Sequence, residues 1–249
     1  MSGHSKWSTI KHKKAATDAK RAKSFTKLIK EITVAVKLGG DDPDSNARLR
    51  GALIAARGKS VPKDTINKAV QKASSVGEGD DYVEMRYEGY APGGIAIIVD
   101  ALTDNKNRTA TSVRTAFTKS GGSLGASGSV TFMFDRVGVI GYDGSVASED
   151  EMFEVAVEAG ADSVESSEEW HEIITNPDSF SAVRDVLITR YGDPKEAKLD
   201  WKAKDLIEVT DIEKAEKILK LVDKLEDDDD VQSVTGNFKI SDEIMERIG

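Results

Sequence analysis

Within residues 1–23 the cationic side chains are Lys6, Lys11, Lys13, Lys14, Lys20, Arg21 and Lys23, and Asp18 is the only acid. Each cation that meets a phosphate releases condensed counterion, so the run supplies strong, salt-dependent affinity for a polyanion without reading its sequence. Trp7 adds a flat face for an unpaired base, worth about 1–3 kcal/mol where such stacking occurs. His12 is one more donor in the same run, and Lys63, Lys68 and Lys72 extend the cationic set along the chain. A competing reading makes the lysines the solvated side of a helix and Trp7, three residues before Ile10, its apolar anchor. The charge bias favours the polyanion, because an ordinary surface helix mixes its signs.

A second candidate surface joins Tyr87, Tyr90, Gly93 and Gly94 to the stretch Asn105, Lys106, Asn107 and Arg108, which precede and follow one strand signal. Two tyrosines, a Gly-Gly that admits close backbone approach and an Asn/Arg loop opening a helix could hold phosphate or RNA. A turn plus a helix cap uses the same residue types.

Catalytic motifs fail on spacing. Gly58-Lys59-Ser60 ends like a phosphate-binding P-loop, but Gly51 is two positions too far upstream and a helix precedes it. Gly125-Ala126-Ser127-Gly128 closes one residue early for a nucleophile elbow. His171-Glu172 lacks a zincin's second histidine and reads as a satisfied or exposed strand histidine. Glu226 to Asp230 lacks the alternating ligands and central glycine of a calcium loop and reads as a solvated turn. No catalytic residue, metal site or cofactor is expected.

These residues sit in a chain of 249 with a formal charge of −9 that is unevenly spread. Through Lys72 there are 17 Lys and Arg against 6 Asp and Glu, a net +11; the remainder carries −20. Such asymmetry points to one part meeting nucleic acid while the rest keeps the molecule soluble. There is no cysteine, which excludes disulfides, thiolate metal sites and cysteine nucleophiles. No stretch approaches the roughly 20 apolar residues of a membrane span, and the first residues lack a secretory signal's apolar core. A cytoplasmic protein without a membrane partner is expected.

The elements that must position these groups follow from periodicity. Residues 1–75 read as three helices. Phe25, Leu28, Ile29, Ile32 and Val36 mark one that ends at Gly39-Gly40. A second is capped by Asp44 or Ser45, with Leu49, Ala52, Leu53 and Ala56 inward, and the third starts at Pro62. Residues 74–81 form an acidic linker. Strands are then expected at 83–87, 95–99, 130–134, 139–142, 171–175, 206–209 and 231–234. Helices begin at Asn105 or Asn107, at the capping box Ser148–Glu151, near Asp178 and at Asp211. The last helix and strand are expected to complete the sheet begun at Val83. This gives domains at 1–75, at 81–137 plus 208–249, and an inserted one at 138–207.

GHSKWSTIKHKKAATDAKRAKSFTKLIKEI, KSVPKDTINKAV, YEGYAPGGIAIIVDALTDNKNRT and GGSLGASGSVTFMF together resemble the YebC family, related to the mitochondrial translational activator of cytochrome c oxidase subunit I. The resemblance runs over essentially the whole chain. It implies an α+β, multi-domain fold: an N-terminal three-helix domain followed by two ferredoxin-like α/β domains. It also implies a non-enzymatic, cytoplasmic protein. Members are commonly labelled transcriptional regulators that bind DNA, whereas some bind RNA on the ribosome and relieve stalls at proline-rich stretches; both readings stay open. The preponderance of lysine and the lack of a helix-turn-helix signature lean towards backbone or structured-RNA binding. A small-molecule enzyme using an inter-domain cleft is the less favoured rival.

Overall fold

The apolar stripe from Phe25 to Val36 lies on α1 (Asp18–Gly39) of the computed structural model, which describes residues 18–75 and 81–248. Ile32, Ala35 and Val36 are buried. Gly40 ends the helix in the left-handed region at φ 84°, where a side chain would be strained, and its N–H donates to Val36 O.

α2 (Ala47–Gly58) and α3 (Lys63–Ser74) follow. The cap of α2 is Asn46, not Asp44 or Ser45, and the reason is chemical. Its Oδ1 accepts from Leu49 N at 3.0 Å, while its Nδ2 donates to Ala35 O at 2.7 Å and Gly40 O at 2.8 Å. Only an amide supplies both the acceptor that starts one helix and the donors that close the previous one. Asp42 and Ser45 bond each other instead. Leu49, Ala52 and Ala56 are buried as expected, but Ile54 takes the place expected of Leu53 and joins a core of strand and helix residues.

Next along the chain are β1 (Val83–Ala91), β2 (Ile95–Thr103), α4 (Lys106–Lys119), β3 (Ser123–Leu124) and β4 (Phe134–Asp143). They are followed by α5 (Glu149–Glu158), β5 (Ser163–Ser166), β6 (Trp170–Thr175), α6 (Phe180–Tyr191) and β7 (Glu196–Ala203). β8 (Ile207–Val209), α7 (Ile212–Glu226), β9 (Val231–Gly236), β10 (Phe238–Ile240) and α8 (Asp242–Ile248) complete the described chain. Of the described residues, one compact unit comprises 18–27, 81–135 and 201–248, and the other 28–75 and 136–200.

In the first unit the sheet order is β3-β1-β2-β9, with β2 antiparallel to both β1 and β9. Val99 lies opposite Tyr87 on one side and Val234 on the other. β2 is buried on both faces: Ile97 and Val99 join α4 and α7 in the main core, while Ala96 and Ile98 pack with Val130 and Phe134. A strand covered on both sides must be apolar throughout, which is why Ile95 to Val99 reads as an unbroken run.

The strand expected at 130–134 is a correction. Thr131–Met133 forms a 3-10 turn and β4 starts only at Phe134. The N–H groups of Val130 and Thr131 bond the Glu88 carboxylate and are unavailable to a strand ladder.

The other sheet has the order β5-β6-β4-β7, and its elements run β-α-β-β-α-β along the chain, the ferredoxin-like arrangement. Ile140, Tyr142, Met152, Ile173, Val183 and Leu187 form its core. His171 is a satisfied core residue. Its Nε2 faces the carbonyls of Ala147 and Gly144 at 3.0 and 3.2 Å, which can only accept, so Nδ1 accepts from Ser166 Oγ at 2.7 Å. Both ring nitrogens are thereby used within the fold. The molecule is α+β, as the sequence suggested, and no described helix is long and apolar enough to cross a membrane.

Candidate nucleic-acid interface

Lys6, Trp7, Lys11, His12, Lys13 and Lys14 lie outside the described residues, as do the side chains of Lys20 and Arg21, whose backbone belongs to the first turn of α1. Lys23 and Lys27 are described and are tied to the end of α7. Lys23 Nζ donates to Asp227 O at 2.9 Å and lies 3.3 Å from Asp227 Oδ1, and Lys27 Nζ donates to Glu226 O at 2.6 Å. Two ammonium groups thus meet the carbonyl end of a helix, where the macrodipole favours positive charge. Lys23 therefore has a structural partner that competes with any phosphate.

α3 behaves differently. Ile66, Ala69 and Ala73 are buried on one side, leaving Lys63, Lys68 and Lys72 exposed on the rest. Among the described residues none of the three lysines has a hydrogen-bond or ion-pair partner. The neighbouring arginines are all engaged. Arg48 holds Glu31 through Nε at 2.7 Å and Nη2 at 3.1 Å, Arg57 holds Asp193 through Nε at 2.7 Å, and Arg50 Nη1 donates to Pro43 O at 3.0 Å. Planar guanidinium forks fasten the helices, while compact, mobile ammonium groups are presented to solvent. Lys59, from the Gly-Lys-Ser stretch, is drawn down among Glu196, Lys198 and Lys195, and burial holds its pKa below the usual 10.5.

The second candidate surface is largely scaffold. Tyr87 is only 8% exposed and belongs to the main core. Tyr90 donates its hydroxyl to Ser129 O at 3.0 Å. Asn105 caps α4, its Oδ1 accepting from Arg108 N at 3.1 Å. Arg108 is neutralised: Nη2 lies 2.6 Å from Asp230 Oδ2 and 2.7 Å from Asp104 Oδ1, and these bonds raise its pKa further. Gly93, Gly94, Lys106 and Asn107 remain exposed, the two glycines forming the β1–β2 turn at φ 85° and 77°. Tyr87 is thus buried, whereas Asn105 and Arg108 stay exposed while also serving as a cap and an ion-pair partner.

Two carboxylates escaped the sequence reading. Glu88, between the two tyrosines, is 3% exposed and accepts from the N–H groups of Gly128, Val130 and Thr131 at 2.8, 2.8 and 2.9 Å. Burial works to raise its pKa, and the backbone donors outweigh it, so the net shift is downward from 4.5. The readable signal was a glycine-rich loop with surplus N–H groups beside a strand carrying an acid.

The second is Asp230, at the end of the acidic run taken for a solvated turn. It is 3% exposed, and its Oδ2 accepts from Thr109 Oγ1 at 2.8 Å and Thr103 Oγ1 at 3.2 Å as well as from Arg108. The run is a turn, but its last carboxylate is a structural anchor. Among the described residues no three His, Asp or Glu side chains converge as a metal site.

Comparison with known proteins places this geometry in company. The model of the TACO1/YebC protein N-terminal domain matches residues 5–76, and that of the TACO1/YebC second and third domain matches 82–238. A probable transcriptional regulatory protein of Rickettsia bellii is 54% identical over 246 residues, covering 99% of this chain and 96% of the relative. Its counterpart from a second strain is 54% identical over 246 residues, covering 99% of this chain and 97% of that protein. The crystal structure of a conserved hypothetical protein from Aquifex aeolicus superposes with a TM-score of 0.86 at 44% identity, covering 92% of this chain and 94% of the other.

Proposed function

The chain belongs to the TACO1/YebC family, and on that premise we propose that it is a non-enzymatic regulator of gene expression that binds nucleic acid through its basic helical segment. The observation that carries the reading is the α3 face, where Lys63, Lys68 and Lys72 stand exposed and, among the described residues, unpartnered while the arginines around them are engaged. Unpaired lysines exchange small counterions for phosphates at no cost in broken ion pairs. Residues 1–23 supply the remaining cations, and Trp7 the stacking face. The names of the Rickettsia relatives support action on transcription, for which the polyanion would be DNA. A division of labour follows, with 1–75 as the gripping domain and 81–137 plus 208–249 and 138–207 as the domains that position it in the cytoplasm.

The composition of the cationic face favours a second reading. Lysine grips phosphate as a point charge and makes few bidentate contacts to base edges, so the surface suits structured RNA, such as ribosomal RNA during translation, as well as duplex DNA.

The test is binding of the full chain to duplex DNA and to ribosomal RNA between about 50 and 200 mM salt. Steep salt dependence is expected, with a large loss when Lys11, Lys13, Lys14, Lys20 and Arg21 are reversed in charge. Unchanged low-salt affinity in that variant would overturn the proposal. Sequencing of nucleic acid crosslinked in cells separates the two readings, promoter DNA supporting the first and ribosomal RNA the second.

A further inference from the structure

In the unit that holds β1 and β2, α4 has the sequence KNRTATSVRTAFTK, with four cations and no acid. Val113, Ala116 and Phe117 point into the main core, so the opposite side of the helix meets solvent. Thr111, Arg114, Thr118 and Lys119 stand exposed on that side with half-buried Thr115 among them. Steps of three or four residues link these five, so they adjoin on the helix surface. Arg114 and Lys119 have no ion-pair partner among the described residues. The β1–β2 turn lies at the C-terminal end of this face. A carbon added at Gly121 would sit 3.7 Å from Pro92 Cγ, and one at Gly93 would sit 3.8 Å from Cδ of Lys214, in the first turn of α7. Lys214 is likewise exposed and without an ion-pair partner among the described residues. At Gly94 an added carbon would meet nothing within 4 Å, which leaves the turn open to close approach. The acids bonded to α4 lie towards its other end, Asp104 and Asp230 on Arg108 and Asp228 on Ser112.

The threonines between these cations say which polyanion fits. Thr111 Oγ1 donates to Asn107 O at 2.8 Å, Thr115 Oγ1 to Thr111 O at 2.7 Å and Thr118 Oγ1 to Arg114 O at 2.9 Å. A hydroxyl has one hydrogen, and each of these is spent inside the helix, so a ligand meets only acceptor lone pairs. Phosphate oxygens accept and gain nothing from such groups, whereas a ribose 2′-hydroxyl can donate to them. The wide, shallow minor groove of A-form RNA displays 2′-hydroxyls beside phosphates, the same mixture in complementary form. We propose that Thr111 to Lys119 of α4, with Lys214, forms a second nucleic-acid contact that distinguishes RNA from DNA. Arg114, Lys119 and Lys214 meet phosphates, and Thr111 and Thr118 accept from 2′-hydroxyls. The inference rests on the reading of the chain as an RNA binder and adds a contact in the unit that does not hold α3.

The test measures binding of the full chain to an RNA hairpin and to a DNA hairpin of the same sequence. The parent should prefer RNA by about fivefold. Arg114→Gln with Lys119→Gln and Lys214→Gln should weaken both ligands by about tenfold and flatten the dependence on salt. Thr111→Val with Thr118→Val keeps the charge and removes the acceptors, and it should lower RNA affinity by about fivefold while DNA affinity stays within about twofold. All five positions are exposed, so these variants should keep the parent's thermal midpoint. Equal parent affinity for the two hairpins overturns the proposal, as does an equal loss on both in the threonine variant. Vesicles of phosphatidylglycerol that bind the parent and compete with the RNA would assign the cations to a lipid surface and overturn it too. Replacing Lys63, Lys68 and Lys72 by Gln separates the two levels of inference. Loss in that variant with none in the α4 variants removes this contact and leaves the broader reading standing, whereas a parent that binds neither hairpin removes both.

Discussion

Lys63, Lys68 and Lys72 stand on α3 with no ion-pair partner among the described residues, whereas Arg108, in the first turn of α4, is held between Asp104 and Asp230. Both stretches are rich in charge and amide, and both were candidates to hold phosphate. A cation can exchange counterions for a phosphate only if it is not already paired, and a buried carboxylate such as Asp230 will not release its guanidinium cheaply. Availability, rather than density of charge, therefore separates a binding surface from a structural clasp.

The sharpest way to break that contrast is Asp230→Ala. It leaves Thr103, Thr109 and Arg108 facing an empty acceptor position, and unfolding in urea should show a loss of about 3 kcal/mol, as for other bonds to buried charged groups. A loss below about 0.5 kcal/mol would mean that the clasp is as dispensable as a surface charge.

Glu88→Gln should cost about 2 kcal/mol at neutral pH, because a neutral amide accepts less strongly from three N–H groups and brings donors with no partner. The sign with pH follows from the depressed pKa. The carboxylate's contribution is complete above the ordinary value of 4.5 and is lost as pH falls through the lower folded value. The gap between parent and variant should therefore close in acid. A gap that persists there would remove the carboxylate from the account.

Replacing Lys63, Lys68 and Lys72 together by Gln should lower nucleic-acid affinity by about tenfold and reduce the slope of log affinity against log salt by about 0.9 for each lysine that contacts a phosphate. Thermal stability should hold or rise slightly, since no ion pair is lost. Smallest of all, Lys23→Met should change stability by at most about 1 kcal/mol, because its pair with Asp227 is exposed on both sides. If Lys23→Met instead weakened binding as much as the α3 triple change, pairing would not mark which cations are available.

Local patterning carried the reading of the fold a long way. Ser148 and Asp211 cap α5 and α7 through the bonds that their sequence context implies, and the apolar run of β2 was visible as a strand. What stayed hidden depended on partners far along the chain. Val130 to Phe134 alternates like a strand, but Glu88 claims its N–H groups from more than 40 residues away. Asn46 outcompetes Asp44 as a cap because it also closes α1, a demand that only the folded helix pair creates. Asp230 reads as one acid among five until Thr103, Thr109 and Arg108 surround it. Tyr87 and Tyr90 read as part of a surface for phosphate or RNA because nothing local reveals that one faces a core and the other a loop carbonyl.

The pairing of β2 with β9 also sets a timetable for folding. Val99 cannot meet Val234 until β9 has left the ribosome, whereas every strand of the ferredoxin-like sheet lies between Phe134 and Ala203 and can pair sooner. During synthesis β2, apolar over most of its length, therefore waits with one edge open, a high-contact-order pairing pending until β9 emerges. Truncation before Val231 would leave that edge permanently unpaired, and its product should aggregate instead of accumulating as a shorter folded protein.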